Sequence, residues 1–393
     1  MFRILVADKL GPAGLRRLEE ESDVTVDVKT GLSKTELCSL ISAYDALLVR
    51  SSTQVDADLL SVAEKLRVIG RAGMGVDNID VAAATARGVL VMNTPGVNSI
   101  ATAEHTILLM LAAARHTAEA HQSVHQGEWR RSDFTGVQLY RKVLGLIGFG
   151  RIARHVAKRA RTFDMEIIAF DPYVSEEVGQ EMGITLVDLE ELLAQADVIS
   201  LHASLSVETL HILNTETLAK TKDGVIIINP SRGKLVDEPA LAEALTSGKV
   251  RAAAIDVYDE EPPGTDHPLI GLANVLHTPH LGASTEEAQR DVSIQIVEQV
   301  VDALRNEDFR NSVNMPFPAG PEYASVLPYL QLGEKIGALQ FHMADAPIRA
   351  IELELLGDTA TESSSVQFLT ASTRGSSKSG TITWMWIQAA RYW

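Results

Sequence analysis

The chain has 393 residues, 46% of them apolar and 22% charged, which suits two or three folded domains with real cores. Lys and Arg number 35 against 52 Asp and Glu, a formal net charge of −17 that argues against a nucleic-acid backbone as partner. The longest apolar run, Ile107 to Ala114, falls far short of the roughly 18–20 residues that span a bilayer, and the single Cys38 points to a reducing compartment.

Taken in order, the first hundred residues alternate short apolar runs with helical patterns. Phe2 to Ala7 reads as a strand rather than a secretory leader, with Asp8 and Lys9 following at once. Val24 to Val28, Ala46 to Val49, Val68 to Gly70 and Val89 to Met92 read the same way. Helix-length segments lie between them, at Gly14 to Glu21, Ser33 to Ser42 and Asp56 to Glu64. This alternation predicts a parallel sheet covered on both faces.

A long helix is expected from Asn98 to Arg115, ending in a polar loop with Gly127, Trp129, Arg130 and Arg131. A second α/β series follows, with strands at Val143 to Ile147, Glu166 to Phe170, Asp197 to Leu201, Val225 to Asn229, Ala252 to Val257 and Val275 to His277. A helix from Thr285 to Leu304 closes it. Two α/β units make a cleft between them the default place for chemistry. Beyond Asn306 the pattern changes: Met315 to Pro328 holds four prolines and reads as a linker. Gln331 to Ala344 suits a helix and Arg349 to Leu356 a strand, and from Thr359 the chain is rich in Ser, Thr and Gly.

The first chemical signal follows the strand at Val143. Gly148-Phe149-Gly150-Arg151-Ile152-Ala153 is G-x-G-x-x-A at a strand-to-helix junction. Gly148 permits the tight turn, and Gly150 lets the backbone approach a pyrophosphate at the helix N-terminus. Asp171, at the end of the next strand, would accept hydrogen bonds from adenosine ribose hydroxyls and repel a 2′-phosphate. No Lys or Arg follows in Pro172 to Val178, so NAD is expected rather than NADP.

Three later strand ends supply the reactive groups: Asn229-Pro230-Ser231-Arg232-Gly233, Asp256-Val257-Tyr258-Asp259-Glu260-Glu261, and Thr278-Pro279-His280-Leu281-Gly282-Ala283-Ser284. Oxidising a 2-hydroxy acid needs a base, a carboxylate clamp and a hydride acceptor. His280 would be the base, Arg232 the bidentate clamp and NAD the acceptor, while Glu261 would orient the imidazole and favour its charged form.

These segments resemble those of the D-isomer-specific 2-hydroxyacid dehydrogenases from about Arg3 to Asn314. The likeness also runs through Arg71-Ala72-Gly73-Met74-Gly75-Val76-Asp77-Asn78-Ile79-Asp80 and Asn98 with Ala103-Glu104-His105. It implies an α/β fold of two doubly wound parallel-sheet domains. These are a flavodoxin-like substrate domain over 1–98 and 287–313, and a Rossmann NAD domain over 99–286. A partial α+β segment over 314–358 and a disordered tail over 359–393 would follow. The resemblance implies Arg232, Glu261 and His280 as the catalytic set. It implies a cofactor site formed by Gly148, Gly150, Arg151, Ile152, Asp171, Pro230, Ser231, Arg232, Asp256, His280, Gly282 and Ala283.

Within the family the chain is most similar to members that oxidise 3-phosphoglycerate in the first step of serine formation. A phosphorylated 2-hydroxy acid needs a second anion site, for which Arg50 and Arg71 are the candidates. Asn98, Arg232 and His280 complete the expected substrate contacts, and Arg130 and Arg131 lie in a loop expected to reach a partner subunit. The implied setting is a cytoplasmic homodimer or homotetramer with no metal, nucleic-acid or membrane partner. The alternatives are a hydroxypyruvate or glyoxylate reductase, and a non-catalytic NAD-sensing co-regulator.

There are departures. His202-Ala203-Ser204-Leu205 stands where the family has His-Thr-Pro-Leu, which is expected to cost a hydrogen bond to the cofactor, and Arg141 takes a usual glycine position. The likeness ends near Gly357, so the remainder reads as a truncated or frame-altered terminus.

Overall fold

Strands of a parallel sheet are buried on both faces and read as unbroken apolar runs. The computed structural model follows that rule in two sheets. It describes residues 1–315 together with Leu332, Lys335 and Met343; apart from these, the expected α+β segment and tail lie outside the described residues. The chain divides into two units, Met1–Val97 with the segment from Gln289 onward, and Asn98–Ala288.

The first unit holds β1 (Phe2–Val6), β2 (Val24–Val28), β3 (Ala46–Val49), β4 (Val68–Arg71) and β5 (Leu90–Met92). All pair in parallel, in the order β2-β1-β3-β4-β5. Side chains alternate between the faces. Ile4, Val6, Leu48, Val68 and Leu90 pack with Ile296, Val297 and Val300 of the helix Glu286–Arg305. Leu5, Leu47, Val49, Ile69 and Val91 pack with Leu37, Leu59 and Leu60 on the other side. The late helix is therefore part of the first unit's core. Ser293 Oγ accepts the Gly14 N–H at 3.2 Å, and the Gln299 side chain donates to the Asn93 carbonyl at 2.8 Å.

The second unit opens with the helix Ser99–Arg115. Here the structure corrects the sequence reading: the helix gives way not to a loop but to a second helix, Thr117–His125. His116, in a left-handed conformation at φ 51°, makes the break between them without a glycine to announce it.

Seven strands follow: β6 (Val143–Ile147), β7 (Glu166–Phe170), β8 (Thr185–Leu186), β9 (Val198–Leu201), β10 (Val225–Asn229), β11 (Val250–Ile255) and β12 (Val275–His277). Their order is β12-β11-β10-β9-β6-β7-β8, again all parallel. This is a doubly wound sheet whose order reverses at β6 and β9, the place where such sheets bind ligands beyond their strand ends. Ile226, Ile227 and Ile228 of β10 are essentially fully buried, each contributing about 1.5–3 kcal/mol of apolar burial. No helix among the described residues is long and apolar enough to cross a membrane.

Candidate active site

Beyond β6 the chain turns at Gly148, where φ is 87°. A Cβ at this position would lie 2.6 Å from the Ala203 nitrogen in the loop after β9, so backbone packs directly against backbone. Gly150 is different. A Cβ there would meet nothing within 4 Å, and Gly150 is the N-cap of the helix Arg151–Ala160. The protein's own packing does not require that glycine. The space it leaves adjoins a helix N-terminus, which suits an anion as bulky as a pyrophosphate. Ala153 fills the third glycine position and is fully buried in the core beneath the sheet.

Asp171 follows β7 and is held at this loop by two backbone amides. Phe149 N–H donates to Oδ2 at 2.8 Å, and Tyr173 N–H donates to Oδ1 at 3.0 Å. Each oxygen keeps a lone pair for a further donor, such as a ribose hydroxyl. Open space at Gly150, the helix terminus and a fixed carboxylate fit a dinucleotide without a 2′-phosphate.

Where the sequence departs from the usual pattern, the local structure is closed. The Ala203 carbonyl accepts the Ser231 hydroxyl at 2.9 Å, and His202 Nε2 meets Ser200 Oγ at 2.9 Å. Burial pushes the His202 imidazole down to about 3, so it is neutral. Arg141 adopts the left-handed backbone, φ 58°, that its glycine-like position demands.

Arg232, Glu261 and His280, the residues expected to be reactive, lie in the loops after β10, β11 and β12. Asn229, buried at the end of β10, shapes the first: its Nδ2 donates to the Arg232 carbonyl at 2.8 Å and its Oδ1 accepts the Ser231 N–H at 3.2 Å. Arg232 Nη1 donates to the Ser231 carbonyl at 2.8 Å. A Cβ on Gly233 would lie 1.9 Å from the Tyr258 carbonyl carbon, so the Arg232 turn is pressed onto the loop after β11. That loop carries Glu261, whose Oε1 accepts the Tyr258 N–H at 3.1 Å and whose Oε2 lies 2.7 Å from His280 Nδ1. Burial alone would raise the Glu261 pKa. The hydrogen bond and charge of His280, with the Tyr258 amide, outweigh it and hold the carboxyl below its ordinary value.

Asp256, at the end of β11, is fully buried and spans the loop that carries His280. It accepts the Thr278 hydroxyl at 2.6 Å and the N–H groups of Leu281 and Gly282 at 2.7 and 2.9 Å. His105 Nε2, from the helix Ser99–Arg115, lies 3.1 Å from the same carboxylate. Burial works to raise the Asp256 pKa, and these donors together more than reverse it. Sequence reasoning gave no role to His105, and none to Tyr258, Glu238 or His267, which support the Glu261 loop. Their partners lie too far along the chain for a local pattern to connect them.

The remaining expected residues lie on other elements. Arg50 follows β3 in the first unit. Its N–H donates to buried Asp8 at 2.6 Å, and its side chain reaches the Lys9 carbonyl at 3.4 Å. Arg71 ends β4, the neighbouring strand. Asn98 starts the helix Ser99–Arg115, its carbonyl accepting the Thr102 N–H at 3.0 Å. Arg130 is exposed and pairs locally with Glu128 at 3.2 Å.

Comparison with known proteins identifies the family. Residues 107–282 match the model of the NAD binding domain of D-isomer specific 2-hydroxyacid dehydrogenases. The chain is 48% identical over 363 residues to D-3-phosphoglycerate dehydrogenase of Methanocaldococcus jannaschii, covering 92% of this chain and 69% of that protein. It is 44% identical over 361 residues to the enzyme of the same name from Archaeoglobus fulgidus, with 92% and 68% covered. Among solved structures, the TT0316 protein of Thermus thermophilus superposes with a TM-score of 0.74 at 37% identity, over 79% of this chain and 99% of that one. The chain therefore belongs to the D-isomer-specific 2-hydroxyacid dehydrogenases and is an NAD-dependent oxidoreductase of that family.

Proposed function

We propose that the protein oxidises 3-phosphoglycerate to 3-phosphohydroxypyruvate, the first step of serine formation. The observation that carries this reading is the 2.7 Å contact between Glu261 Oε2 and His280 Nδ1 at the strand ends of the second unit. With Nδ1 turned to the carboxylate, Nε2 is the nitrogen that takes the proton of the substrate hydroxyl. Arg232 holds the substrate carboxylate by charge-assisted hydrogen bonds, which fixes the C2 carbon for reaction. Bound NAD supplies the hydride acceptor. As the hydroxyl proton leaves, the imidazole becomes a cation, and Glu261 stabilises that charge.

Gly148, Gly150, Arg151, Ile152, Asp171, Pro230, Ser231, Asp256, Gly282 and Ala283 are assigned to the cofactor in the same reading. Recognition of the phosphate is assigned to Arg50 and Arg71, with Asn98 as a further substrate contact. The choice of 3-phosphoglycerate over other 2-hydroxy acids is supported by the relatives of that name at 44 and 48% identity. A cytoplasmic location suits the single cysteine. A homodimer or homotetramer suits the exposed apolar side chains of Ile100, Leu108 and Val124 on successive helices.

The test is a substrate panel followed by NADH absorbance, with 3-phosphoglycerate, glycerate and lactate offered with NAD, and glyoxylate with NADH. The highest kcat/KM is expected for 3-phosphoglycerate. A preference for glyoxylate reduction overturns the substrate assignment, and no turnover of any member overturns the catalytic one.

A further inference from the structure

Glu238 is a buried carboxylate with no part in the proton transfer above. It is the first residue of the helix Glu238–Thr246 and is only 8% exposed. A buried anion is costly unless donors meet it. Two do. Oε1 accepts the Asp259 N–H at 3.1 Å, and Oε2 lies 2.7 Å from His267 Nε2. His267 Nδ1 accepts the Leu269 N–H at 3.3 Å, so the ring proton belongs on Nε2, where it is donated to Glu238.

Asp259 follows Tyr258, and the Tyr258 N–H is the one that orients Glu261. Two carboxylates thus grip successive amides of one turn: Glu238 holds Asp259, and Glu261 holds Tyr258. The Tyr258 ring meets His267 edge-on at 5.5 Å and stacks with His277 at 6.2 Å, while its hydroxyl lies 2.9 Å from His277 Nδ1. Burial, and then the nearby carboxylates, push the phenol up to about 12 and keep it protonated. On the other side, the close approach of Gly233 leaves the turn no room to shift.

We propose that Glu238 and His267 are positioning residues for the reaction: by fixing the Asp259 amide they set the turn that delivers Glu261 to His280. This inference rests on the roles given above to Glu261 and His280.

The test measures kcat at saturating NAD, and KM for NAD with NAD varied, for the full chain carrying Glu238→Gln, Glu261→Gln, or both. Glu238→Gln keeps size and one acceptor oxygen but loses the anion that takes the His267 proton. It is expected to lower kcat by about 10–100-fold, the penalty for a displaced catalytic group, with KM for NAD unchanged. The double variant is expected to lose no more than Glu261→Gln alone, because the effect passes through Glu261. His267→Phe removes the donor and is expected to reproduce the loss, whereas His267→Gln retains one and is expected to restore most of kcat. That pair reads the same network if Glu238→Gln does not fold. Additive losses in the double variant, or equal activity of the two His267 variants, overturn the positioning role. Full activity in Glu261→Gln alone overturns the underlying catalytic reading instead.

Discussion

Glu261 Oε2 lies 2.7 Å from His280 Nδ1, and His280 itself sits in left-handed backbone at φ 53°. A non-glycine residue in that conformation costs about 1–3 kcal/mol and persists only where its surroundings hold it. The His280 N–H donates to the Asp256 carbonyl at 2.8 Å, while the Asp256 carboxylate takes the next two amides, of Leu281 and Gly282. Backbone and side chain of His280 are thus fixed by two different acids. His280→Gln is expected to lower kcat by about 10²–10⁴-fold, the range for loss of a general base, with NADH affinity little changed. Stopped-flow hydride transfer and NADH fluorescence titration check the two halves, and near-normal turnover would remove His280 as the base.

Gly148→Ala tests the nucleotide loop. The new methyl would lie 2.6 Å from the Ala203 nitrogen, on a backbone already at φ 87°. Neither backbone can move aside cheaply, so a stability loss of about 1–3 kcal/mol is expected together with weakened NADH binding. Urea melts measure the first and fluorescence titration the second. Wild-type behaviour in both would contradict the close packing of these loops.

Asp171→Ala is expected to lower the ratio of kcat/KM for NAD over NADP. In the proposed cofactor site, the substitution removes both the ribose acceptor and the charge that repels a 2′-phosphate. An unchanged ratio would mean that another group selects the cofactor.

His202 gives a stability effect with a definite sign. Burial holds its imidazole at about 3, whereas the unfolded chain titrates near the ordinary 6.5. The unfolded state therefore binds the proton first. Stability is complete above 6.5 and is lost as pH falls from there toward 3. The side chain keeps some exposure, so the loss between about pH 7 and pH 5 is at most about 2 kcal/mol. His202→Asn cannot titrate yet keeps a polar partner for Ser200. Its urea midpoint is expected to change less between those pH values, and an equal change would clear His202.

The two sheets were legible because parallel strands such as Val225–Asn229 are apolar along their whole length. β8 was not, since Thr185–Leu186 is a two-residue edge strand with no period to read. The helix Thr117–His125 was hidden because its faces are largely polar and a histidine makes the break before it. In the site, the glycines and Asp171 were legible from spacing alone, and the pairing of Glu261 with His280 follows from their strand-end positions. The Glu238–His267 pair was beyond reach. Its members stand 29 residues apart, and nothing in either segment marks a buried charge.

Arg71 is one of the two residues proposed to recognise the substrate phosphate. It ends β4 in register with Val49 of β3, the residue immediately before Arg50, so two arginines stand at the carboxyl ends of adjacent parallel strands. Such ends are where open α/β sheets meet ligands. A carboxylate can be held by one bidentate arginine, but a phosphate adds about −1.5 to −2 further charge and three acceptor oxygens. Loss of one charge-assisted hydrogen bond costs about 1.5–3 kcal/mol, or about 10–100-fold in kcat/KM. Arg71→Ala is therefore expected to lower kcat/KM for 3-phosphoglycerate by that factor and to leave the slower reaction with glycerate nearly unchanged. The ratio of the two constants is the measurement, because a general disturbance of the first unit would depress both. Equal losses on the two substrates would make Arg71 a structural residue and take away the physical support for a phosphorylated substrate.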